Sequence, residues 1–185
     1  MEPLLVLPLL AFLILLALFG LVLRRAGRFV VETRDAERFR RQVADLAARV
    51  ESSLGDLSGR IDAVRRGQLG ADAVADDLRA SLDAVARYAD ETRAFHPPID
   101  GRRIRDEIVT ELERSARALQ MIEHGRAIQT SARNGGREVE AQTAIKRGYL
   151  NVLHAREAIA GLARSAAELT PSHGSRRDPG PPGSG

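Results

Sequence analysis

At 185 residues, the chain is long enough for about one domain beyond any anchoring or targeting segment. The absence of cysteine excludes disulfides, thiolate catalysis and cysteine-ligated metals together, and aromatics at only 4% argue against the mixed core of a typical α/β enzyme. The net charge of +3 rests almost wholly on arginine, with Lys146 the sole lysine, and no dense basic stripe with interleaved aromatics marks a nucleic-acid surface. This arginine- and alanine-rich usage reads as the codon bias of a GC-rich, bacterial genome rather than as an arginine-specific binding role.

The first element is the uncharged run over residues 3–23, PLLVLPLLAFLILLALFGLVL. As a helix it spans ~31 Å, close to the hydrocarbon thickness of a bilayer. Only Glu2 precedes it, and Leu23-Arg24-Arg25 follows where a cleaved signal peptide would carry a small-residue site. The run is therefore expected to be an uncleaved single transmembrane helix. Arg24, Arg25 and Arg28 lie just after it with no Lys or Arg before it, so the positive-inside rule places the bulk of the chain in the cytoplasm and the N-terminus outside. Residues 24–30 read as a basic juxtamembrane hinge at Gly27. With Arg34, Arg38, Arg40 and Arg41 this stretch is a candidate for contact with anionic lipid headgroups.

Four helical segments follow, at about 31–66, 71–95, 100–133 and 137–169. The first carries Phe39, Val43, Leu46, Val50, Leu54, Leu57, Ile61 and Val64 at steps of three and four with one stutter, a pattern of coiled-coil-like packing. Gly67-Gln68-Leu69-Gly70 breaks it. The second places Val74, Leu78, Leu82, Val85, Ala89 and Thr92 on one face and stops at His96-Pro97-Pro98. The third opens at Asp100, read as an N-cap, presents Ile104, Ile108, Leu112, Ser115, Leu119 and Ile122, and ends at Asn134-Gly135-Gly136. The fourth carries Ile145, Tyr149, Val152, Ile159, Leu162 and Ala166, and Pro171 ends it. The Gly-, Pro- and Ser-rich residues 171–185 read as a disordered tail. No segment alternates with period two. Short breaks between long helices predict an all-α protein, an antiparallel up-down-up-down four-helix bundle behind its anchor.

Standard chemistry is not legible. No His has a Glu three residues before it, as a di-iron bundle requires, and there is no phosphate loop, dinucleotide fingerprint or zincin motif. No catalytic residue, metal ligand or cofactor site is assigned, and no enzyme is expected. His124, His154, Arg147 and Asn151 fall on solvated faces. Arg156 is the exception, since it falls inside the apolar arc of the fourth segment. Folding the segments about their breaks puts it level with Ser115, and Ser115 level with Ser81. A guanidinium buried without an acid is too costly, so Glu111, one turn from Ser115, is its expected partner. The candidate buried polar layer is thus Ser81, Glu111, Ser115 and Arg156.

No family resemblance emerges. The sequence points to a membrane-anchored interaction protein or scaffold at the cytoplasmic face, its partners the bilayer and either another protein or a second copy, with no nucleic acid. The alternative is a tethered sensor that binds a ligand in the polar layer.

Overall fold

The computed structural model describes residues 3–131 and 136–169, with side chains described for residues 15–21 and within 33–131 and 136–169. Helix α1 runs without a break over Pro3–Arg65, α2 over Ala75–Arg93, α3 over Arg102–Thr130 and α4 over Glu138–Ala167. One 3₁₀ turn, Ala71–Val74, leads into α2, and another, Ile99–Gly101, leads into α3. No strand occurs among the described residues, and the helices form a bundle around one core.

The stripe read on the first segment is the spine of that core. Phe39, Val43, Leu46, Val50, Leu54, Leu57 and Ile61 are all buried, and Val64 packs against them from the edge. Each such side chain contributes about 1.5–3 kcal/mol by leaving water. They face Leu78 and Val85 of α2, Ile104, Ile108, Leu112, Leu119 and Ile122 of α3, and Ile145, Val152 and Ile159 of α4. Successive helices are antiparallel. Arg49 pairs with Glu91 and Ser53 with Tyr88 across α1 and α2, Arg93 with Glu113 across α2 and α3, and Arg156 with Glu51 across α4 and α1.

The seam between α3 and α4 is the tightest. A Cβ on Gly148 would stand 2.6 Å from Ile122 Cγ1 and 2.7 Å from the Ala118 carbonyl oxygen, and one on Gly125 would stand 2.7 Å from the Ala141 carbonyl oxygen. Here the backbones meet through Gly and Ala, and Ala118, Ala141 and Ala155 are buried beside them. The stripe expected on α4 therefore lacks half of its buried face. Ala141, Gly148 and Ala155 are inside, whereas Tyr149 and Leu162 sit at the edge.

Several boundaries differ from the sequence expectation. The backbone of residues 24–30 is helical and lies within α1. Asp100 lies within the 3₁₀ turn and Gly101 takes the N-cap position of α3 without a side-chain cap. Gly101 is pressed against Phe39, whose ring would be 2.9 Å from an added Cβ. Helix α1 ends where Gly67 takes φ +69°, with the Gln68 N–H donating to the Ala63 carbonyl at 2.9 Å, a Schellman-type stop.

Among the described residues no helix is long and apolar enough to cross a membrane. Of the span expected over residues 3–23, the side chains of 3–14, 22 and 23 lie outside the described residues, as do those of Arg24, Arg25 and Arg28. Residues 132–135 and the tail over 171–185 also lie outside them.

Candidate functional site

Arg156 is the feature singled out by the sequence, and it lies where α4 faces α1. Its side chain is 18% exposed. Its Nε donates to Glu51 Oε2 at 3.2 Å, its Nη2 pairs with Glu51 Oε1, and its Nη1 donates to Ser58 Oγ at 3.3 Å. Ser58 in turn donates to the Leu54 carbonyl at 2.6 Å. A Cβ on Gly55 would come to 3.5 Å from Nη2. Glu51, Gly55 and Ser58 recur at helical spacing on one side of α1, so together they form a cradle for the guanidinium. Three of its five N–H donors are engaged, one from each nitrogen, and the charge is not left unpaired.

The expected partner Glu111 is not in this cradle. Its carboxylate accepts from Arg114 at 2.8 and 2.9 Å, one turn along α3. The reason is geometric. The α3–α4 seam is closed by backbone approach at Gly125 and Gly148 with Ile122 and Ile145 filling the space beside them, and Arg156 turns instead to the α1 side where Gly55 leaves room. Ser115 is fully buried and donates to the Glu111 backbone carbonyl at 3.0 Å. Ser81 is buried on α2. No hydrogen bond among the described residues links Ser81, Ser115 and Arg156, so the four predicted residues do not form one connected layer.

Glu51, Gly55 and Ser58 escaped the sequence reading. The signal for them was their four- and three-residue spacing beside the apolar stripe of α1. That signal becomes readable only once the side of α1 that meets α4 is known.

The α1–α2 seam is built differently. Arg49 makes a two-pronged pair with Glu91 at 2.9 and 2.6 Å and lies over the Tyr88 ring, 5.2 Å from its centroid. Ser53 and Tyr88 share a hydroxyl hydrogen bond at 3.0 Å, and further along Arg60 pairs with Asp77. The hydrogen bonds from Arg49 hold the Glu91 carboxyl below its ordinary range, although burial pushes the other way. Between these polar clasps the helices part to leave a groove of about 400 Å³ whose lining includes Ser53, Asp56, Leu57, Ala80, Ser81 and Ala84. Ala80 and Asp56 are exposed at its mouth.

At the far end of the bundle Arg126 joins α3 to the turn before α2. It donates to Asp72 at 2.8 Å and to Glu123 at 2.8 and 2.6 Å, and these bonds lower the Glu123 carboxyl from its ordinary range. His124 is exposed, 4.0 Å from Glu140, and His154 is exposed on α4. Tyr149 lies at the core edge beneath the Arg65 guanidinium, 4.8 Å from the ring centroid. Among the described residues no group of three His, Asp or Glu side chains could hold a metal ion.

The chain matches no known protein family, curated protein or solved structure. Its own geometry therefore carries the functional reading.

Proposed function

We propose that the chain is a membrane-tethered, non-enzymatic helical scaffold whose bundle engages a protein partner or another copy of itself at the cytoplasmic face. One observation carries this reading. Leu15, Leu16, Leu18, Phe19 and Leu21 are each 56–69% exposed, on the same continuous helix that supplies the spine of the bundle core. Five large apolar side chains in seven residues call for a lipid or protein cover. They belong to an uncharged run that extends back to Pro3 and is followed by Arg24, Arg25 and Arg28, which suits a span with its basic flank in the cytoplasm.

The non-enzymatic part of the reading draws on the electrostatics. Among the described residues the displaced pKa values all belong to Arg–Glu ion pairs, with no isolated perturbed acid or base facing a cavity. The sensor alternative needs a ligand space at the Arg156 layer. Ser115 is fully buried and Arg156 is occupied by Glu51 and Ser58, so that reading has less support.

The tether also sets a height. Ala36 is the first residue of α1 buried in the bundle among the described residues. At 1.5 Å per residue it stands ~20 Å beyond the end of the apolar run. Headgroup contact would then fall to the helical stalk and not to the body of the bundle. The exposed Ile99, in the turn beside Phe39, would be held off the lipid by the same distance.

The test is fractionation of the full chain expressed in bacterial cells. It should stay in the membrane pellet after alkaline carbonate extraction, and a version lacking residues 3–23 should be soluble. A C-terminal reporter active only in the cytoplasm should be active. Extraction of the full chain into the supernatant would overturn the tether.

A further inference from the structure

We infer that the α1–α2 groove of one copy receives the outer ridge of α4 from a second copy, so that tethered chains line up head to tail. The inference rests on the scaffold reading for one point only, the anchor that holds neighbouring copies parallel and at one height.

Among the described residues nothing closes the groove. Among the described residues four hydroxyl side chains are buried in the bundle, namely Ser58, Ser81, Thr92 and Ser115. Ser58, Thr92 and Ser115 each donate to the carbonyl four residues before them. Ser81 is 7% exposed, lines the groove and has no hydrogen-bond partner among the described residues. The Ser81 hydroxyl is reachable through the open groove, whose lining joins Ser53, Ala80, Ser81 and Ala84 to Leu57 and to the charged Asp56, Arg60 and Asp77.

The outer ridge of α4 has the matching shape, height and charge. Lys146, Leu150, Leu153 and Glu157 recur at steps of four, three and four, on the side of α4 opposite the buried Gly148. Leu150 is 43% exposed and Leu153 is half-buried. Their height is fixed by contacts already described. Tyr149 meets Arg65, and Arg156 meets Glu51 and Ser58, so the part of α4 that holds Leu150 and Leu153 stands beside the 51–65 stretch of α1. Asp77 meets Arg60 and Tyr88 meets Ser53, so Ala80, Ser81 and Ala84 stand beside the same stretch. In two parallel copies at one distance from the membrane, the leucine ridge and the small-residue groove therefore face each other at the same level.

The charges flanking the two surfaces complement each other. Glu157 lies on the membrane-near side of the ridge, and Arg87 lies on the membrane-near side of the groove. Both are exposed and neither has an ion-pair partner among the described residues. At the far side Lys146, likewise unpaired, meets the end of the groove that carries Asp76 and Asp77. The ridge and the groove are different surfaces, so the contact is heterologous and propagates into a ring or an open row rather than stopping at a pair.

The test uses the full chain in its membrane, exploiting the absence of native cysteine. An Ala80→Cys, Leu150→Cys double variant treated with an oxidant should give a ladder of disulfide-linked multiples of the chain mass, while either single variant should not. Glu157→Arg in that background should lower the linked fraction about fivefold, and adding Arg87→Glu should restore it. Equal linkage by Leu150→Cys alone, linkage of Ala80→Cys to a different protein, or no ladder at all would overturn the contact. Linkage is read in the membrane and soluble fractions of the same sample. A chain found in the soluble fraction sinks the tether, and the ladder or its absence there still decides the contact.

Discussion

The α3–α4 and α1–α2 seams are made from the same amino-acid types by opposite means. In the first, Gly125 and Gly148 let the backbones approach until carbonyl oxygens and the side chains of Ile145 and Ile122 fill the space that a Cβ would need. In the second, Arg49, Tyr88, Arg60 and Asp77 reach across a wider gap and leave a groove between their contacts. Small residues sit at both, but at one they are enclosed and at the other they are open. The comparison teaches that alanine and glycine on a helix face do not by themselves say whether a seam is closed. What decides it is what stands opposite, with Ile122 and Ile145 packed onto the glycines at one seam and long polar side chains spanning the gap at the other.

The sharpest way to break the comparison is to enlarge a residue at each seam. Gly148→Leu should drive its side chain into Ile122 and the Ala118 carbonyl and cost about 3 kcal/mol or more of bundle stability, read by urea unfolding of the detergent-solubilised chain. Gly148→Ala should cost less, about 1–2 kcal/mol, because the gain in helix propensity offsets part of the clash. A variant as stable as wild type would show that the two helices separate easily.

A smaller loss is expected at the Arg156 cradle. Arg156→Ala should cost about 1–2 kcal/mol through the lost hydrogen bonds and stem packing between α4 and α1. Glu111→Ala should cost less than Glu51→Ala in a background that retains Arg156, since Glu111 bonds only Arg114 of its own helix. The reverse order would restore Glu111 as the partner.

The polar clasps add a pH signature. The Glu91 and Glu123 carboxyls are held below their ordinary range in the folded chain by the hydrogen bonds from Arg49 and Arg126. A depressed carboxylate contributes stability that is fully present above its unfolded pKa of ~4.3 and is lost as pH falls through the lower folded value. Unfolding midpoints should be flat above about pH 5 and fall below about pH 4, and Glu91→Gln should flatten that fall in part. Both pairs are partly solvent-exposed, so the slope should weaken in high salt.

The smallest effect on stability is expected from Ala80→Leu at the exposed mouth of the groove, within about 0.5 kcal/mol of wild type. The same substitution should weaken association between copies by occupying the space meant for Leu150, read by sedimentation of the detergent-solubilised chain. A loss of several kcal/mol would mean that the groove is closed in solution.

Much of the fold was legible because it rests on local periodicity. The stripes of α1 and α3 were read residue for residue, from Phe39 to Ile61 and from Ile104 to Ile122, because large apolar side chains at steps of three and four admit one buried face. The helix ends were legible where Gly67 or Pro97-Pro98 interrupts the chain. On α2 and the turn before it the inward face was also legible, with Val74, Leu78, Ser81, Val85, Ala89 and Thr92 buried and Ala84 alone missed. Legibility was weakest on α4, where Ala141, Gly148 and Ala155 are inside, because such residues carry little hydrophobic signal and are buried by what opposes them. The site was half legible. Arg156 stood out against an apolar arc, but its acid was sought on α3 at a matching level when the available space lay toward α1.

The sequence by itself determined an uncharged run with a basic flank, four helical segments and the apolar faces that pair them, since each of these follows from composition and spacing along one stretch of chain. Only the tertiary structure decided which acid meets Arg156, which seam is closed by glycine and which is left as a groove. Those outcomes depend on the distance between backbones far apart in sequence, and that distance is set by the side chains of both helices together.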